Sequence, residues 1–129
     1  MQLLVRAFPL IRPLDEVQEF LDALSGARRE ETARFYREFG VVHESAHLQM
    51  TEQRPILIAV TILESAHEAG PRYGAASQEF HTWFKAQIQR LTGIDPNEMP
   101  LGPPTTELFH WHGDEAGAPA PIPRLTSAT

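Results

Sequence analysis

The stretch Ile56-Leu-Ile-Ala-Val-Thr-Ile-Leu63 restricts the fold more than any other: its eight residues include a single polar one, Thr61. It is far shorter than the ~20 residues a membrane helix needs. Its β-branched content and lack of a polar face predict a strand in the middle of a sheet. The five residues before it, Thr51-Glu-Gln-Arg-Pro55, are polar or turn-forming and suit a hairpin loop. Val41 to Met50 then becomes the antiparallel partner. A strand flanked in this way needs further strands beside it and a layer to cover it.

The other segments supply both. Residues 2–8 are β-like and are closed by Pro9 and Pro13. Alternation puts Leu3, Val5 and Ala7 on one face and Leu4, Arg6 and Phe8 on the other. Asp15 and Glu16 open a helix at its positive end, with Val17, Phe20, Leu21, Leu24, Phe35, Tyr36 and Phe39 as its apolar positions. The polar stretch Ser25 to Thr32, with Gly26, predicts a kink or weak turn. Gly40 is placed to cap the end. Ser65 and Glu68 have capping-box spacing for a short helical turn that Gly70-Pro71 stops. Ser77 caps a second amphipathic helix with Phe80, Trp83, Phe84, Ile88 and Leu91 on one stripe, ended by Gly93. After a proline-broken loop, Thr105 to His112 reads as a last strand. Residues 1–112 form the expected domain, and the Gly/Ala/Pro-rich residues 113–129 a C-terminal tail or arm.

The order β-α-β-β-α-β defines an α+β, ferredoxin-like arrangement: a four-stranded antiparallel sheet with two helices on one face. The second face is left bare and apolar, and a second copy of the sheet is its simplest cover, giving a two-fold homodimer. Over residues 2–112 the order of elements resembles the dimeric α+β barrel superfamily. The segment Glu38-Phe-Gly-Val-Val-His-Glu-Ser-Ala-His-Leu48 looks like that of its small bacterial domains. The resemblance implies a ligand cavity between the two sheets. It also implies the range of that superfamily: cofactor-free monooxygenases, isomerases, haem-degrading enzymes and chlorite dismutases. One fold hosts many functions, so the residues must choose among them.

Eleven basic residues against seventeen acidic ones give a net charge of −6, with no basic stripe, which argues against nucleic-acid and anionic-membrane partners. The absence of cysteine excludes disulfides, thiolate zinc sites and cysteine nucleophiles. No signal-peptide core or apolar span is visible, so a cytoplasmic location is expected. His43-Glu44-Ser45-Ala46-His47 spells H-E-x-x-H, a zinc-peptidase spacing that works only on a helix, where residues four apart share a face. Gly40 and the Val41-Val42 pair place it on a strand instead. There the two histidine backbones stand ~13 Å apart, at about 3.3 Å per residue.

Histidine moves protons near neutral pH, and Arg6 interrupts a strand that is otherwise apolar on both faces. A buried arginine needs an acidic partner, such as Glu44 or Glu107, or an anionic ligand. Arg6, His43, His47, His81 and His110 are therefore the candidate cavity residues. The aromatic residues Phe80, Trp83, Phe84, Phe109 and Trp111 are expected in the core. The leading expectation is a homodimer binding a small, anionic molecule without a cofactor or metal, as a monooxygenase- or isomerase-like enzyme. Two alternatives stand beside it: a non-enzymatic structural or ligand-binding dimer, and a metalloprotein using the histidine motif.

Overall fold

The computed structural model describes residues 1–114, 117 and 118. Its order is β1 (Gln2–Pro9), α1 (Leu14–Ser25), α2 (Arg29–Glu38), β2 (Val41–Gln49), β3 (Ile56–Leu63), α3 (Ala66–Ala75) and α4 (Glu79–Thr92). The strands form one antiparallel sheet in the order β1-β3-β2. The apolar run Ile56–Leu63 is thus the central strand. The fold is α+β, with helices packed on one sheet face.

Each helix boundary has a local cause. Gly26 separates α1 from α2, and the chain re-enters the helix through Arg28 N–H donating to Ala23 O at 2.9 Å. The expected kink is a full break. Gly40 and Gly93, at φ +73° and +77°, follow α2 and end α4 in the left-handed region that favours glycine. Gln78, rather than Ser77, is the residue before α4; its N–H donates to His81 Nδ1 at 3.2 Å.

Two expectations fail. Gly70-Pro71 does not stop α3, which continues to Ala75. Pro71 removes only the one bond its missing N–H would make, while Ala69, Gly70 and Tyr73 stay buried against their surroundings. Ser65 does cap this helix, accepting from Glu68 N–H at 3.3 Å. Among the described residues there is also no fourth strand over Thr105–His112. The segment begins to pair with β1 through a single antiparallel bridge, Arg6 with Pro104, and Thr105 Oγ1 donates to Val5 O at 2.7 Å. Pro103 and Pro104 bring no N–H to a ladder, and at the next residue the Thr105 side chain rather than a backbone N–H takes the Val5 carbonyl. Most of the expected tail, 113–129, lies outside the described residues.

The helix-covered face carries the core in two clusters. Phe8, Leu10, Val17, Phe20, Leu57 and Leu91 form one. Phe35, Phe39, Leu63, Ala69, Tyr73 and Phe80 form the other, and Leu24, Trp83 and Phe84 touch both. Arg28 lies over the Trp83 ring, 4.3 Å from its centre, while pairing with Glu31 and Glu79. Arg90 and Arg12 both bind Glu16, tying α4 to α1. The opposite sheet face has no helix on it. There Leu3, Val5 and Ala7 of β1 stand beside Ile62, Val60 and Ile58 of β3, and His43, Ser45 and His47 of β2 complete the rows. No helix is long and apolar enough to cross a membrane among the described residues.

Candidate functional site

Strand register decides which side chains meet under the helices. One row reads Leu4, Thr61, Glu44 across β1, β3 and β2; the next reads Arg6, Ala59, Ala46; the third reads Phe8, Leu57, Leu48. The middle row has two methyl groups where its neighbours have longer side chains. Aromatic residues from above, among them Phe20, Phe35, Tyr36 and Phe84, do not fill the space. A cavity of about 170 Å³ is left between the two core clusters. Ala46 lines it and is itself exposed, so the cavity reaches solvent on the β2 side.

The loop 94–102 closes another wall. Gly102 has φ +84°, and a Cβ there would overlap the Phe8 ring. The loop can approach β1 this closely only because this residue is glycine. Leu101 in the same loop offers its carbonyl to Arg6 Nε at 2.8 Å.

The polar groups of the cavity are few. Glu44 accepts a hydrogen bond from Thr61 Oγ1, the hydroxyl of the single polar residue of β3. Burial pushes the Glu44 carboxyl up from 4.5 to about 7, against the opposing effects of the Thr61 hydroxyl and the Arg6 charge. Arg6 is lowered from its ordinary value by burial, with Glu44 attracting it through space. Its guanidinium is held by carbonyls: Leu101 O on Nε and, more weakly, Val5 O on Nη1 at 3.3 Å. The Tyr36 hydroxyl is raised by burial and by the negative charge of Glu44, and that of Tyr73 by burial. The site is thus an apolar chamber with one carboxyl that titrates near neutrality and one guanidinium beside it. Perturbed groups of this kind cluster at functional sites and also occur in structural networks.

The five residues singled out in the sequence are expected between two sheets; Arg6 lies instead on the helix-covered face, where it lines this cavity. His43 and His47 lie on the opposite face of β2, their Nε2 atoms 3.1 and 3.0 Å from the Ser45 hydroxyl between them. The motif is strand, as expected, and its rings are joined through a serine rather than stacked on a helix face. His81 is not at a barrel mouth. It is 4% exposed, accepts from Gln78 N–H, and its Nε2 lies 2.8 Å from Glu38, joining α4 to the end of α2. His110 lies in the extended segment after Pro104, its ring 5.6 Å from that of His112. Among the described residues no three histidine, aspartate or glutamate side chains gather as metal ligands. Phe80, Trp83 and Phe84 are core or pack against it, whereas Phe109 and Trp111 are 60% and 51% exposed.

Glu44, Thr61 and Ala59 are the site residues that the sequence did not single out for a ligand. Alternation along Val41–Gln49 separates Glu44 from His43 and His47, a usable signal. That Thr61 stands opposite it required the hairpin register. No family model, no curated protein and no solved structure matches this chain.

Proposed function

We propose that this chain is a small-molecule-binding α+β domain whose ligand occupies the cavity between sheet and helices, over Ala59. The observation that carries this reading is the unfilled volume of about 170 Å³ above a two-alanine row, with the Glu44 carboxyl and Arg6 at its edge. Protein cores are close-packed, and a void of this size loses contacts on every wall. An apolar cavity of about 150 Å³ holds benzene. The ligand is accordingly one ring in size, with a polar substituent toward Glu44. Titration with benzyl alcohol tests this. Saturable binding by the wild type, and at least tenfold weaker binding by Ala59→Leu, is the expected result. Equal binding by both removes the cavity from consideration.

The reading includes a homodimer, formed through the face that carries Val5, Ala7, Ile58, Val60 and Ile62. Three strands of eight or nine residues cover only roughly 400 Å² at about 4.8 by 3.3 Å per residue. Stable partners bury about 800 Å² each. The exposed Phe109 and Trp111, on the segment that leaves β1 after Thr105, would add apolar area to that face. His43, Ser45 and His47 then lie between the two sheets. Sedimentation at micromolar concentration should give twice the monomer mass; a monomer refutes the dimer and leaves the cavity reading standing.

A second reading, proton transfer on the bound molecule, is favoured by one observation: a carboxyl titrating near 7 inside an apolar chamber suits a general base at neutral pH.

A further inference from the structure

The cavity's two charged groups define its ligand more narrowly than its size does. Arg6 is opposite Ala59, and Glu44 is opposite Thr61, one row along. Their Cα atoms are roughly 12 Å apart, from two strand spacings of about 4.8 Å and a two-residue step of about 6.8 Å. Both line the same chamber, with the short Ala59 between them. Arg6 makes its hydrogen bonds to carbonyls and none to Glu44, whose hydroxyl partner is Thr61. A guanidinium among apolar walls, with no carboxylate in direct contact, lacks the planar partner that suits its fork.

Building on the small-molecule reading above, we propose that this cavity takes small apolar monocarboxylic acids, of the size of benzoate, whose carboxylate lies between the Arg6 guanidinium and the Glu44 carboxyl. With Glu44 ionised, the pair is neutral and a third charge of either sign is unpaired. With Glu44 protonated, the chamber carries one positive charge, which an anion cancels. The new O–H also donates to the ligand's second oxygen. A bound amine meets Arg6 instead and is repelled. Binding therefore draws one proton from solvent onto Glu44 when the pH is above its own titration. No other ionisable group facing Glu44 takes this role. Tyr36 of α2 and Tyr73 of α3 are neutral phenols held upward in pKa, β3 contributes the Thr61 hydroxyl, and α1, α4 and the loop 94–102 present apolar side chains.

The test is calorimetry of the whole chain with benzoate, benzyl alcohol and benzylamine at pH 6, 7 and 8, in two buffers of different ionisation heat. The expected result is benzoate bound at least tenfold more tightly than benzyl alcohol at pH 6. Its affinity should fall by about fivefold between pH 7 and 8, as the protonated share of a carboxyl titrating near 7 drops, with about one proton taken up at pH 8. Glu44→Gln, which keeps an N–H donor, should flatten the pH profile for benzoate. Arg6→Met should bring the benzoate-to-benzyl-alcohol ratio to about one, and Arg6→Lys should restore part of it. Benzyl alcohol bound as tightly as benzoate at pH 6, or a flat profile in the wild type, overturns the carboxylate assignment while leaving the cavity as a binding site. Binding of none of the three overturns both.

Discussion

Glu44→Gln should stabilise this protein at alkaline pH and do little at acid pH. Raising the carboxyl from 4.5 to about 7 corresponds to about 3 kcal/mol, at 1.36 kcal/mol per pH unit. Below pH 4.5 the group is protonated whether the chain is folded or unfolded, so nothing is lost. Between 4.5 and 7 the unfolded chain releases its proton while the folded chain keeps it. Stability therefore falls as pH rises through this window, and the loss is complete just above pH 7. Glutamine is neutral throughout and keeps a hydrogen-bonding oxygen for the Thr61 hydroxyl. Urea unfolding of both proteins at pH 4, 6 and 8, followed by tryptophan fluorescence, reads the difference. The variant should gain up to about 3 kcal/mol on the wild type between pH 4 and pH 8. A gap that stays constant across that range, or a variant less stable at pH 8, refutes the reasoning: the carboxylate would then be ionised and well satisfied in the folded state.

The packing supports three further tests. Gly102→Ala combines a positive φ with a Cβ driven into Phe8, and should cost about 2–4 kcal/mol; an unchanged melting temperature would mean the loop 94–102 moves aside freely. The buried Lys85 ammonium donates to Gly74 O, Ala76 O and Asn97 Oδ1. Lys85→Met strands those acceptors and should lower stability by about 2–3 kcal/mol in chemical denaturation, whereas an equally stable variant would show that water replaces the lysine. Val60→Lys, on the bare face beside Val5 and Ser45, tests the proposed dimer: it should leave the circular dichroism spectrum unchanged and halve the mass seen by light scattering, and a persistent dimer would move the interface elsewhere.

The fold was legible where one local signal decides the backbone. Ile56–Leu63 could only be a central strand, and Gly40 and Gly93 occupy left-handed positions that few other residues tolerate. Where two signals compete, tertiary context decides. Gly70-Pro71 reads as a helix stop, yet α3 passes through it because buried Ala69 and Tyr73 anchor the turns on either side. Thr105–His112 alternates like a strand, yet only one rung forms on β1, and the Thr105 hydroxyl occupies the Val5 carbonyl beyond it. The site was legible in part for the same reason. Arg6 was conspicuous as a charge in an apolar strand. Glu44 was legible only as an acidic partner for Arg6, to which it makes no hydrogen bond, and not as a ligand group. The cavity itself depends on Ala59 meeting Ala46 across two strands, a coincidence of register that no single segment carries.

The central claim is the location of a bound single-ring molecule. Nuclear Overhauser contacts between benzyl alcohol and the methyl groups of the central strand test it most directly, because the two faces of β3 carry different methyls. The account predicts contacts to Ala59 and Leu57, which line the cavity. Contacts confined to Ile58, Val60 and Ile62, on the bare face, would contradict it and place the ligand between sheets instead.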